Sequence, residues 1–317
     1  MRRTLSEAGM APGDALYRPA NYNRTVVLSS KVFAADETGR SYKMVPDMRS
    51  FWTNSLLLPQ TLGGFFLLPD TPGVRKAITD SGATIIPKSP QSTNSWGCRG
   101  PEPDPQAEIR GLIVGDSFMQ GLFVADSETP PACLERDLAK AWGRHVSILN
   151  TGHIGYSPEQ YYFTLLEYYD KFKPTFLVLS VCPNDFGDAQ DVLNGIGDWD
   201  EGAFWLAEID YFCRTHKIPW LLVPVPFEIQ VTIQRGAGHY PGNVSNISKR
   251  LTTEYLDPVE AFVGENLRLQ EESKRSGNQL LFSPLFNGHI QDGHFSPAGC
   301  ALWAREVAQR LVLLIAP

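Results

Sequence analysis

From about residue 106 to its end, the chain alternates short apolar runs with longer segments of helical pattern. The apolar runs predict β-strands at residues 109–114, 145–149, 175–181, 219–225 and 279–282. The segments between them carry serine, proline and glycine boundary signals and predict helices at residues 129–142, 157–172, 201–216, 257–275 and 296–314. Alternating strands and helices give a mostly parallel sheet with helices on both faces. We therefore predict an α/β fold in three layers, α/β/α, around a five-stranded sheet.

The residues before this region follow a different pattern. Short β-prone runs separated by polar turns lie between residues 22 and 90 and predict a small element of antiparallel strands. Residues 93–105 are rich in glycine and proline, which is typical of a connector. We divide the chain accordingly into an N-terminal β-rich extension at residues 1–105 and a main domain at residues 106–317.

Glycines and polar residues follow the predicted strands, at the edge where a parallel α/β sheet places its ligand site. In chain order these residues are Gly115, Asp116 and Ser117, then Gly155, then Asn184 and Asp185, and finally Asp292 and His294. They are the residue types that acyl transfer requires. The sequence therefore predicts a hydrolytic site at this edge.

Ser117 is the candidate nucleophile of that site. A serine hydroxyl becomes reactive when a neighbouring imidazole accepts its proton, and His294 is our candidate for this base. Asp292 is the candidate for the carboxylate that holds the other ring nitrogen and stabilises the imidazolium. His289, which precedes Asp292 by three residues, is the rival for the base.

Three groups are candidates for stabilising the oxyanion of a tetrahedral intermediate. They are the backbone N–H groups of Ser117 and Gly155 and the side-chain amide of Asn184. Glycine at position 155 would let its backbone approach the substrate closely. We expect Asp116 and Asp185 to support the loops through hydrogen bonds to the backbone.

The ordered blocks Gly115-Asp116-Ser117 with Gly121, Gly155, Asn184-Asp185 and Asp292/His294 resemble those of the SGNH hydrolase (GDSL esterase/lipase) superfamily over about residues 108–315. The resemblance implies a flavodoxin-like fold, a serine nucleophile, and the oxyanion donors and triad just described. Residues 94–102 also resemble the NSxGxRGPE segment of a bacterial subset whose members carry an N-terminal β extension.

Two positions depart from the family pattern. The family's last block is Asp-x-x-His, whereas this chain has a single residue between Asp292 and His294. The glycine that usually precedes the asparagine by two residues is Cys182 here, and we expect this position to be structural.

Composition excludes several other classes of function. The net charge is −7 without a cluster of lysine and arginine, so we expect neither nucleic-acid binding nor a polybasic membrane anchor. The chain contains no apolar run of transmembrane length. Its five scattered cysteines indicate neither a disulfide framework nor a zinc site, and no metal or cofactor is expected. A basic start without an apolar segment predicts a cytoplasmic protein by default, or a periplasmic or secreted one if a signal was removed.

These observations predict a serine esterase that acts on a small-molecule or glycan ester, with short acyl groups such as O-acetyl favoured by analogy with the family. An O-acyltransferase would use the same triad, and a catalytically silent binding module would keep the same residues. The sequence leaves these alternatives open, together with the oligomeric state.

Overall fold

The structure is a computed structural model. It describes residues 27–28, 32–36, 38, 40–54, 65–80, 84–233, 239–288 and 293–315. The chain divides into two compact units, one formed by residues 1–102 and 123–126 and the other by residues 103–122 and 127–317. Among the predicted site residues, Asp292 lies outside the described residues, and so does its neighbour His289.

The first unit is built mainly from short strands. They are β1 (Val27–Leu28), β2 (Phe33–Asp36), β3 (Ser41–Met44), β4 (Arg49–Asn54), β5 (Phe65–Pro69) and β6 (Thr84–Ser92), with helix α1 (Pro72–Asp80) between the last two. One sheet has the order β1-β5-β4-β6, and β2 pairs with β3 in a hairpin. The pairs are antiparallel as expected, except that β1 runs parallel to β5. The fully buried ring of Trp52 packs edge-on against Phe123, with centroids 5.2 Å apart.

The predicted connector forms a closed hydrogen-bonded turn within the first unit. The side-chain oxygen of Asn94 accepts from the Cys98 N–H at 3.0 Å, and its amide donates to the Pro101 carbonyl at 3.0 Å. The buried guanidinium of Arg99 forms an ion pair of 2.7 Å with Asp126. The asparagine and arginine of the NSxGxRGPE-like segment therefore organise this turn.

The second unit has a five-stranded parallel sheet. Its strands are β7 (Ile109–Val114), β8 (Val146–Asn150), β9 (Phe176–Val181), β10 (Trp220–Pro224) and β11 (Glu254–Tyr255). The spatial order is β11-β10-β9-β7-β8, and every pairing is parallel. Numbered within this unit, the order is 2-1-3-4-5, which is that of flavodoxin-like folds and places a ligand at the carboxyl ends of the strands. The predicted fold class is confirmed.

Helices connect and cover these strands. They are α2 (Ser117–Gln120), α3 (Pro130–Trp142), α4 (Pro158–Phe172), α5 (Ala189–Leu193), α6 (Trp199–His216), α7 (Glu228–Thr232), α8 (Gly242–Ser248), α9 (Val259–Arg275) and α10 (Pro297–Leu314). Helix α10 packs on α3 and α9, whereas α4 packs on α6. Strands β8, β9 and β10 are buried throughout, as strands covered by helices on both faces must be. Within the described residues, none of the helices combines the length and the apolar character needed to cross a membrane.

The fifth strand lies elsewhere than the sequence predicts. Residues 279–282 do not form a strand, and the side chains of Leu281 and Phe282 are 82% and 52% exposed. The fifth strand is instead β11, where Glu254 pairs with Leu221 and Tyr255 with Leu222. Strand β11 has only two residues, one of them charged, so it lacks the apolar run on which the prediction was based. The prediction of a strand at residues 279–282 was therefore wrong.

Candidate active site

Ser117 lies just beyond the carboxyl end of β7, at the first position of the one-turn helix α2. Asp116 caps this helix, because its carboxylate accepts a hydrogen bond of 3.0 Å from the Phe118 N–H. Gly121 ends the helix in the left-handed conformation, at a φ of 74°. As the first helical residue, Ser117 has a backbone N–H with no acceptor inside the helix, which suits it to an oxyanion.

A short antiparallel pairing fixes the backbone around His294. Phe286 forms a β-bridge with Phe295. The Asn287 N–H donates to the His294 carbonyl, and the Asn287 side chain donates to the Phe295 carbonyl, both at 2.8 Å. Ser296 then caps helix α10. The backbone at the histidine is therefore held by two hydrogen bonds from Asn287, just before the cap of a long helix.

His294 and Ser117 are far apart in the sequence, but the imidazole of His294 contacts the hydroxyl of Ser117. The Nε2 atom lies 2.7 Å from Oγ, which is within the range required of a general base. The ring of Phe118 packs beside the imidazole, with centroids 4.6 Å apart. The structure thus brings the predicted nucleophile and base together. The role of Asp292 as the orienting acid stays a prediction, since that residue lies outside the described part of the chain.

The loop after β8 is fastened to helix α2. The side-chain amide of Asn150 donates to the Met119 carbonyl at 2.9 Å. A Cβ added at Gly152 would lie 2.3 Å from the backbone nitrogen of Gln120, so only glycine permits this approach. Gly155 follows in the same loop, half-buried and with a φ of 73°. The structure therefore places Gly155 on a loop bound to the nucleophile helix, and its oxyanion role stays a prediction.

The turn after β9 carries the predicted asparagine and aspartate. Residues Pro183–Asp185 form one turn of 3₁₀ helix directly beyond the strand. The Asp185 carboxylate accepts from the Cys182 N–H at 3.0 Å, and the Tyr161 hydroxyl of α4 lies 3.0 Å from each of its oxygens. Asp185 is buried, whereas Asn184 is half-buried. The aspartate thus anchors the turn from within and leaves the asparagine nearer the surface.

The thiol of Cys182 joins this turn to the nucleophile turn. Its sulfur lies 2.5 Å from Asn184 Oδ1, 2.8 Å from Asp116 Oδ2 and 3.6 Å from Asp185 Oδ1. Asp116 Oδ2 also lies 3.3 Å from the Ser117 hydroxyl. The position expected to be only structural is therefore in contact with three of the predicted site residues.

Asp116, Cys182 and Asp185 also bring potential metal-binding atoms within 4.8 Å of one another. Two ligands of one tetrahedral zinc ion, at about 2.0 and 2.3 Å from the metal, lie roughly 3.5 Å apart. The 2.8 Å contact between Cys182 and Asp116 is shorter than this and fits a hydrogen bond. We interpret the three residues as a buried hydrogen-bonded cluster, and that no metal binds stays a prediction.

Burial sets the protonation of this cluster. It raises the pKa of Asp116, against the opposing effects of the Cys182 thiol and the charge of His294. Burial and then the charge of Asp116 raise the pKa of Asp185 well above its ordinary value. Burial and then the two carboxylates likewise raise the pKa of Cys182 well above its ordinary value. The cysteine therefore keeps its hydrogen at neutral pH and acts as a donor.

Sequence reasoning missed two residues of the site. Tyr161 is not among the predicted site residues, but its hydroxyl bonds to Asp185. A buried tyrosine hydroxyl needs a partner, which is the signal that could have indicated this role. The second is Gln120, whose side-chain oxygen accepts from the Ile154 N–H at 2.7 Å. No pattern in the sequence distinguishes it from an ordinary helical glutamine.

No protein-family model matches the chain, and no curated protein matches it. Solved structures do. An acetyl xylan esterase, AlAXEase, is 17% identical with a TM-score of 0.48, covering 64% of this chain and 100% of its own. TesA is 16% identical with a TM-score of 0.47, covering 65% and 99%. AlinE4, described as an SGNH-hydrolase family esterase, is 18% identical with a TM-score of 0.38, covering 54% and 98%. The function is therefore argued from the geometry of this site.

Proposed function

We propose that the chain is a serine ester hydrolase with Ser117 as nucleophile and His294 as general base. The observation that carries this proposal is the 2.7 Å contact between Ser117 Oγ and His294 Nε2 at the carboxyl edge of a parallel sheet. A nucleophile within hydrogen-bond reach of its base is the arrangement that acyl transfer requires. A silent binding module has no need of this contact.

The reaction proceeds in two steps. In the first, Ser117 Oγ attacks the ester carbonyl while His294 Nε2 accepts the hydroxyl proton, and the same proton then leaves with the alcohol as the acyl-enzyme forms. In the second, His294 accepts a proton from water, whose oxygen attacks the acyl group, and then gives that proton to Ser117 Oγ as the acid is released. Asp292 is our candidate for the carboxylate that holds Nδ1.

The oxyanion formed in each step needs donors placed in advance. Ser117 supplies its backbone N–H from the start of α2, and Gly155 and Asn184 come from the loops after β8 and β9. Removal of one such donor in other acyl-transfer enzymes lowers the rate by about 10²–10³. Asp116 and Asp185 support these donors, because each accepts backbone N–H bonds that shape its turn.

We further propose that the substrates are esters of short acyl groups, including O-acetyl groups on carbohydrates. The resemblance of the sequence to the SGNH superfamily supports this choice. Beside the base, Phe118 packs against Phe227, with centroids 6.0 Å apart, so an apolar wall lies next to the reacting atoms. Such a wall suits the methyl end of a small acyl group.

The proposal is tested with aryl esters of increasing acyl length and with acetylated glycans, on the wild type and on Ser117→Ala. We expect hydrolysis fastest for short acyl groups in the wild type and loss of hydrolysis in the variant. A fluorophosphonate probe should label the wild type on Ser117 only. Equal activity of the two proteins would remove Ser117 as the nucleophile.

The alternatives appear as other outcomes of the same experiment. An O-acyltransferase would pass the acetyl group to an added glycan acceptor and release little acetate, which product analysis detects. A binding module would neither react with the probe nor hydrolyse any ester, while still binding a glycan.

A further inference from the structure

Cys182 is the residue of the site whose chemistry the proposed mechanism does not use. It follows β9 directly, and its side chain is fully buried. Two oxygens from different strand ends lie around its sulfur, Asn184 Oδ1 at 2.5 Å and Asp116 Oδ2 at 2.8 Å. An amide oxygen can only accept, so the contact with Asn184 requires the single hydrogen of the thiol.

The contact with Asn184 involves a particular end of the amide. A planar amide has an acceptor oxygen at one end and two N–H donors at the other. When the oxygen is held at the sulfur, the N–H groups point away from it. Asn184 is half-buried, so part of this residue is accessible from solvent. The opposite orientation would turn a carbonyl oxygen towards the oxyanion and repel it.

We propose that Cys182 is a positioning residue, whose thiol holds the carbonyl end of Asn184 beside Asp116 and so directs the amide N–H groups towards the oxyanion. The role rests on the proposed esterase function. It also explains why the turn after β9 is joined to the nucleophile turn: the contact from Cys182 to Asp116 fixes Asn184 relative to Ser117.

A purely packing role would require only the volume of the side chain, whereas the proposed role requires its donor. Two pairs of substitutions separate them. Cys182→Ser keeps a donor that Cys182→Ala removes. Cys182→Thr and Cys182→Val have nearly the same shape and differ in the same respect. The second pair decides the question if Cys182→Ala fails to fold.

The experiment measures kcat and KM for an aryl acetate. We expect Cys182→Ala and Cys182→Val to lower kcat by about 10- to 100-fold with KM little changed, because an oxyanion donor acts in the transition state. Cys182→Ser and Cys182→Thr should recover most of kcat. Since Cys182 acts through Asn184, the double variant Cys182→Ala/Asn184→Ala should be no slower than Asn184→Ala alone.

Cys213→Ala is the matched control, because this cysteine is also fully buried but lies on α6, away from the site. It should keep the wild-type kcat. The proposal is overturned if Cys182→Ala and Cys182→Val keep the wild-type kcat, or if Cys182→Ser and Cys182→Thr lose as much kcat as those two variants. It is also overturned if the double variant loses the product of the two single losses in kcat. Failure of the esterase function itself is recognised separately, by an active Ser117→Ala protein.

Discussion

The hydroxyl of Tyr161 lies 3.0 Å from each carboxylate oxygen of Asp185, and both residues are buried. This contact joins helix α4 to the turn that carries Asn184. The same carboxylate accepts from the Cys182 N–H, so the turn is held from the helix and from the end of β9 together. The position of the candidate oxyanion donor thus depends on a tyrosine 23 residues before it in the chain.

Tyr161→Phe removes this hydroxyl and little else. We expect the free energy of unfolding to fall by about 1–2 kcal/mol, because Asp185 loses a buried donor. We also expect kcat for an aryl acetate to fall several-fold, since the turn with Asn184 loses one of its supports. Tyr162→Phe on the same helix is the control, because its half-buried ring contacts Phe163 and Trp205. Equal loss in the two variants would contradict a role for the Tyr161 hydroxyl.

Local chemistry explains why most elements of the second unit could be predicted. Thr129 accepts from the Ala132 N–H at 3.3 Å and begins α3, and Gly143 ends it with a φ of 61°. Ser296 accepts from the Gly299 N–H at 3.3 Å and begins α10. Such caps lie within a few residues of the helix they define, so the sequence shows them. The order of the strand-end residues then follows from the parallel sheet.

The remaining features depend on partners far away in the chain. Cys182 contacts Asp116, 66 residues earlier, and no local pattern predicts that a cysteine will serve as a donor. Strand β11 is recognisable only through its pairing with β10, because Glu254 and Tyr255 are half-buried at the edge of the sheet. The apolar run at residues 280–282 predicted a strand, but no strand forms there.

The proximity of Ser117 and His294 predicts that their contributions to catalysis are not independent. Ser117→Ala or His294→Gln alone should lower kcat by about 10⁴–10⁶, and the double variant should be no slower than the worse of the two. His145→Gln, at a mainly exposed histidine before β8, is the control and should keep wild-type kcat. The measurement is kcat for an aryl acetate. Losses that multiply in the double variant would show that the two residues do not act as a pair.

The raised pKa of Asp185 predicts a particular pH dependence of stability. The folded protein retains a proton on this carboxyl at pH values above its ordinary pKa of 3.8, where the unfolded chain has lost it. Stability from this group is therefore present at low pH and is lost as the pH rises through the raised pKa. The Asp185→Asn variant cannot ionise at this position. As the pH rises from about 5 to about 8, its free energy of unfolding should therefore fall less than that of the wild type. The difference should be about 1.4 kcal/mol for each pH unit of this range that lies below the raised pKa.

Urea unfolding across this range measures the effect. Asp170→Asn supplies a control of opposite sign, because Lys173 lowers the pKa of this exposed carboxyl. Its removal should cost a little stability at neutral pH and none at low pH, and solvent screening keeps the effect small. A wild-type protein and an Asp185→Asn variant with parallel pH profiles would show that Asp185 is ionised in the folded state as readily as in the unfolded chain.

Two glycine substitutions should have opposite effects on stability, because only one of the two glycines lies where the loop after β8 closely approaches helix α2. At Gly152 a Cβ would lie 2.3 Å from the Gln120 nitrogen and 2.5 Å from the Met119 carbonyl carbon, and these backbone atoms cannot yield without moving α2. Gly152→Ala should therefore cost about 1–3 kcal/mol and slow the labelling of Ser117 by a fluorophosphonate. Gly264→Ala lies in α9 with open space around the new methyl group and should stabilise the protein by about 0.5–1 kcal/mol without changing the labelling rate. Urea unfolding and labelling kinetics check both, and a Gly152→Ala protein as stable and as reactive as the wild type would contradict the tight contact between the loop and the nucleophile helix.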